Sequence, residues 1–184
     1  MRLGIAHHFG WAVAVTATDD HEVADRRRLE LVEPGVPADP VHHGIEGLDD
    51  EAAAELVAAV RASAVRATSV SLDQLAATLP EPIESISLRA WPADFPIDIS
   101  VQRRVPYEAQ ADSVMYRQVL AELAGERGWT VHLFEARTVE ADAAALLGDR
   151  AHSVLHRPRE RLGAPWTKDH RMALAATVLA AAGR

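Results

Sequence analysis

The chain has 184 residues, 48% hydrophobic and 25% charged, a size and balance that suit one buried core and are short for two. Its formal net charge of -8 disfavours a non-specific nucleic-acid binder, which needs lysines and arginines to neutralise phosphates. Cysteine is absent, so disulfides, thiolate zinc sites and thiol nucleophiles are excluded. There is no apolar run long enough for a membrane span and no basic-then-apolar leader, so the expected location is the cytoplasm.

Residues 3–15 open the chain with two apolar runs on either side of a polar turn that contains Gly10. Short continuous apolar runs with β-branched Ile5, Val13 and Val15 predict two strands, the first covered on both faces. His7 and His8 stand where the first strand ends. A turn at Asp19-Asp20-His21 leads to a third strand over residues 22–32. There Val23, Leu29 and Leu31 are apolar and Arg26, Arg27 and Arg28 interrupt, a pattern that an edge strand tolerates. Residues 33–47 hold four glycines or prolines in their first eight positions, then Gly44 and Gly47 around His42-His43, and read as a long loop.

Asp49 and Asp50 can cap the next helix. Leu56, Val60, Ala64, Leu72, Leu75 and Leu79 recur at helical spacing, while Ser69, Ser71 and Asp73 weaken the middle, so one bent helix or two are both open. Pro80 and Pro82 end it, and residues 83–90 alternate as a fourth strand, stopped at Trp91-Pro92. Residues 93–106 have no clear period. A helix then runs from about Glu108 to Arg127 on Met115, Tyr116, Val119, Leu120 and Leu123, with Asp112 near its start and Gly128 at its end. Residues 129–136 form the fifth strand, residues 138–147 a short alanine-rich helix, and residues 148–165 an irregular arginine-bearing connection. Residues 166–182 make the closing helix, with Thr167 as its N-cap.

This order of elements, with Leu-Gly-Ile-Ala-His-His-Phe-Gly at residues 3–10 and Asp-His-Arg-Met-Ala-Leu-Ala at residues 169–175, resembles the ribonuclease H-like superfamily and its Holliday-junction resolvase-like branch. The resemblance implies an α/β fold, a single ribonuclease H-like domain over residues 1–184 with a mixed β-sheet and helices on both faces. It also implies a site where carboxylates from the first strand, the end of the fourth strand and the last helix hold two divalent cations for phosphodiester cleavage. Carried onto this chain, the first-strand acid becomes His7, the fourth-strand acid falls near Arg89, and the helix acids become Asp169 and Met172. A guanidinium and a thioether are poor partners for hard cations.

Two functional expectations follow. The first is a binding or interaction protein, not an intact two-metal nuclease, with a pocket made by His7, Asp169 and His170 and lined by Arg89, Trp91, Trp166 and Lys168. The alternative is a metal-dependent phosphodiesterase with a rebuilt site, in which His7, Asp169 and His170 are the catalytic groups and ligate a divalent metal such as zinc. Partners are open: nucleic acid is disfavoured by charge, no membrane is expected, and a homodimer through an edge strand or helix face is allowed. His7 and His8 are adjacent, so within a strand they point to opposite faces and cannot chelate one ion together. No Gly-x-Ser-x-Gly elbow, phosphate-binding loop or dinucleotide fingerprint is present.

Overall fold

The computed structural model describes residues 1–183. Five strands form one open sheet in the order β3-β2-β1-β4-β5. β1 (Arg2–His7), β2 (Trp11–Ala17) and β3 (Val23–Glu30) pair antiparallel in succession. β4 (Ser85–Arg89) lies parallel to β1, and β5 (Thr130–Phe134) parallel to β4. The mixed α/β architecture agrees with the expected fold class, and the arginine-bearing β3 is an edge strand.

β1 is central, and its uninterrupted apolar run reflects cover on both faces. Leu3 and Ile5 pack with α1 (Asp50–Thr78) and α3 (Glu108–Glu126), whereas Ala6 packs with α4 (Val139–Leu147) and α7 (Lys168–Ala182). Short helices α2 (Ile99–Gln102), α5 (Ala151–Leu155) and α6 (Pro158–Leu162) occupy two segments expected to be irregular. Among the described residues no helix is long and apolar enough to cross a membrane.

α1 is one continuous helix of 29 residues, capped by Asp49, whose carboxylate accepts from the Ala52 N–H at 2.9 Å. Ser69 and Asp73 accept from Arg127, and other polar residues of the helix tie it to the end of β3 and the chain just beyond. Ser63 Oγ accepts from the Glu33 N–H at 3.1 Å, and Ser71 donates to the Glu30 carbonyl at 2.8 Å. A polar position on such a helix therefore satisfies neighbouring backbone instead of breaking the helix.

The loop over residues 33–47 is anchored to α3. Asp112 accepts from the N–H groups of Val41 and His42, both at 3.0 Å, and fixes a π-helical turn at Pro40–Gly44. The Tyr116 hydroxyl donates to the Ala38 carbonyl at 2.8 Å. Burial raises the Asp112 carboxyl above the usual carboxylate range despite these two donors. Ala38 in turn presses on the β1–β2 turn, where a Cβ at Gly10 would stand 2.9 Å from the Ala38 Cβ.

On the other face, α7 lies directly against β1. A Cβ at Gly4 would stand 1.9 Å from the Ala173 carbonyl oxygen, far inside van der Waals contact and against backbone that cannot step aside. The Ser87 hydroxyl on β4 donates to the Ala176 carbonyl at 3.2 Å, a second tie one turn along. Gly4→Ala is expected to lower unfolding free energy by about 3 kcal/mol or to prevent folding, at the upper end of overpacking costs. Gly125→Ala, in a helical position with nothing within 4 Å of the new Cβ, is expected to stabilise by up to about 1 kcal/mol. Urea denaturation of the two variants checks both signs.

Candidate functional site

β1 and β4 are parallel neighbours, so their carboxyl ends adjoin, bringing the end of β1 at His7 beside the end of β4 at Arg89. Strand alternation puts His7 in line with Leu3 and Ile5, on the face covered by α1 and α3. His8, just past the strand, turns to the α7 side. Its Nε2 lies 3.1 Å from Asp169 Oδ2 in the first turn of α7. The His8 ring stacks on Trp11 with centroids 4.1 Å apart and planes 10° apart, and the Arg28 guanidinium carbon lies 4.2 Å from the Trp11 ring centroid.

Arg117 reaches the same strand ends from α3. Its side chain is buried, and it donates to the carbonyls of Ala90 at 2.6 Å and Ser113 at 2.8 Å and to the Ser113 hydroxyl at 2.9 Å. All these acceptors are neutral, so the charge is solvated by dipoles and not cancelled. Neither Arg117 nor Arg89 forms an ion pair among the described residues. Burial, with Arg89 adding repulsion, lowers the Arg117 pKa to about 10, which leaves it charged at neutral pH. Burial also pulls His7 down to about 3, helped by Arg117, Arg89 and His8 in that order. His7 is therefore a neutral imidazole facing two guanidiniums.

The residues expected to form one chelating set are separated. His8, not His7, meets Asp169. His170 is buried and spends its Nδ1 on the start of α7, accepting from the Thr167 N–H at 3.2 Å with the Thr167 hydroxyl 2.8 Å away. Burial, then Arg26, lowers the His170 pKa, with Asp169 opposing. Among the described residues no group of three or more His, Cys, Asp or Glu side chains could hold a metal ion. Of the expected pocket-lining residues, Trp166 lies in the α7-side core and donates its indole N–H to the Leu155 carbonyl at 2.9 Å. Trp91 packs on the other core, 6.0 Å from the Arg117 guanidinium carbon, and Lys168 is exposed at the start of α7. His42 and His43 touch edge to face at 4.4 Å, and both are exposed on the anchored loop.

Arg117 has no counterpart in the residues picked from the sequence, although one signal was available. Asp112, Tyr116 and Arg117 place polar groups in or beside the inward stripe of α3, where a purely structural helix carries aliphatic residues. His8 was legible as the neighbour of His7, and strand alternation is what sends it to the opposite face.

No protein-family model matches this chain, and no curated protein matches it.

Because folding holds His7 neutral, the unfolded chain binds the extra proton once the pH drops below about 6.5. The stability difference between wild type and His7→Gln is therefore expected to shrink by on the order of 1 kcal/mol per pH unit from about pH 6 down to about pH 4. Paired urea titrations across that range measure it. An unchanged difference would mean that His7 titrates normally.

Proposed function

We propose that this chain is a ribonuclease H-like domain, nearest in motif to the resolvase-like branch, that acts by binding an anionic group and not by two-metal phosphodiester cleavage. Support for the fold comes from topology. Three strands run antiparallel, the first then pairs in parallel with a later strand, a fifth adds in parallel, and the closing helix packs on the first strand.

One observation carries the functional half of the reading. Where such a nuclease gathers carboxylates, this chain has a neutral imidazole at position 7 with Arg89 and Arg117 beside it, and the one retained acid, Asp169, is engaged by His8. Electrostatics then decides the sign of the ligand. A divalent cation about 6 Å from a guanidinium is repelled by roughly 5 kcal/mol at an effective dielectric constant of about 20, and two guanidiniums double that cost. Few ligands remain nearby to offset it. An anion meets the same field as attraction, and Arg89, exposed at the strand end, is free to form a charge-assisted contact with carboxylate or phosphate.

In this account Arg117 sets the field from below, His7 supplies a neutral donor or acceptor, and Arg89 makes the direct contact. Branched DNA incubated with the protein and magnesium or manganese is expected to stay intact. Metal-dependent cleavage that disappears in Asp169→Ala would overturn the reading in favour of a rebuilt hydrolytic site.

A further inference from the structure

On the α7 side of the sheet, a cleft of about 470 Å³ runs between the β2–β3 ribbon and the first turn of α7. Trp11 and Val13 line it from β2, Arg26 and Arg28 from β3, and Pro165 and Asp169 from the approach and first turn of α7. Its size falls within the range of about 300–1,000 Å³ usual for small-molecule sites. The β2–β3 register sets Arg28 opposite Val13 and Arg26 opposite Val15, so both arginines stand on the same face as that apolar strip. Arg27, the third arginine of β3, is held bidentately by Asp25 and also donates to Thr78, so it is already spoken for.

Among the described residues, Arg26 is the cation of this cleft that has no counter-ion. Arg26 donates to the carbonyls of Leu162, Ala164 and Pro165, which are neutral acceptors, and it forms no ion pair among the described residues. Arg28 makes its one ion pair with Glu30, an exposed pair at 2.6 Å with side chains 54% and 61% accessible, and its guanidinium also lies over the Trp11 ring. Exposed pairs of this kind are worth about 0–1 kcal/mol, so exchanging Glu30 for an incoming anion costs little. The carboxylate of Asp169, the acid of that wall, is held by His8. Two guanidiniums beside an apolar strip, with both nearby acids engaged, Glu30 by Arg28 and Asp169 by His8, favour a ligand that has both an apolar body and a negative charge.

We propose that this cleft binds a small organic acid, an apolar body carrying one anionic group, with the body against Val13 and Pro165 and the acid facing Arg28 and Arg26. The cleft lies on the opposite face of the sheet from Arg117, so the inference goes beyond the binding reading above and stands apart from it. The shared chemistry covers carboxylates and phosphate monoesters alike, and the experiment separates them.

Isothermal titration calorimetry of the full chain with phenylacetate, phenyl phosphate, phenethylamine and inorganic phosphate tests it. The two aromatic acids are expected to bind, the tighter one identifying the preferred head group. Phenethylamine offers the same ring with the opposite charge and phosphate the charge without the ring, and each is expected to bind at least about tenfold more weakly. Arg28→Gln is expected to weaken the preferred acid by about tenfold, while Arg159→Gln, an exposed arginine away from the cleft, leaves it unchanged. Phenethylamine binding as well as the acids, equal binding by Arg28→Gln, or no binding by either aromatic acid would each overturn the inference. If the acids fail and branched DNA also stays intact, the cleft proposal falls alone. Metal-dependent cleavage would bring down the binding reading itself.

Discussion

The contact between Gly4 and Ala173 governs the arrangement of this molecule. A helix normally stands off a sheet by the thickness of the side chains between them. Here the carbonyl of Ala173 fills the space where a Cβ on residue 4 would be. Alanine at positions 173, 175, 176 and 180, all buried, lets the helix settle that closely, and Ser87 adds a hydrogen bond to the Ala176 carbonyl. With α7 pinned to β1 at this depth, its first turn arrives at the level where β1 ends. Asp169 can then meet His8, and the cleft against β2 and β3 has a wall.

From that constraint the two histidines at the end of β1 acquire different chemistry. His7 follows the pleat into the α3 side, where partial burial first and then the charges of Arg117 and Arg89 keep it neutral. His8 escapes to the α7 side, where a carboxylate and an indole receive it. One side of the sheet end is thus a buried, positively biased corner, and the other is a half-open cleft with apolar and cationic walls. α3 secures the first of these twice over, through Arg117 and through Asp112 and Tyr116, which hold the loop over residues 33–47 against the β1–β2 turn. On the proposed reading a cation stands where a metal site would need an acid, which sets the electrostatics for anions by several kcal/mol.

Much of the fold was legible in the sequence because it rests on local patterns. The apolar run before His7, the capping aspartate at position 49, the proline stop at Pro80 and the Thr167 cap each act within a few residues. The continuity of α1 was harder, since Ser69, Ser71 and Asp73 look like helix-weakening residues until their partners are in view: Ser71 donates to the Glu30 carbonyl, and Ser69 and Asp73 accept from Arg127. α5 and α6 were hidden by their shortness and by the charges around them. Residues 7, 89 and 169 were picked from the resemblance, and all three stand at the strand ends or the start of α7. Which histidine meets Asp169 depends on the pleat at the end of β1, and the capping role of His170 depends on where α7 begins. Arg117 became visible only through burial, because an arginine in an amphipathic helix is ordinarily solvated. Trp166, expected among the pocket-lining residues, is part of the core, where its indole donates to the Leu155 carbonyl.

The most direct test of the central claim is a manganese titration of the wild-type chain followed by electron paramagnetic resonance, in which bound ion loses the sharp signal of free Mn(II). The account predicts that the free-ion signal grows in proportion to the manganese added, as in buffer alone. A saturable loss of signal that Asp169→Ala abolishes would place a cation at the strand ends and contradict it.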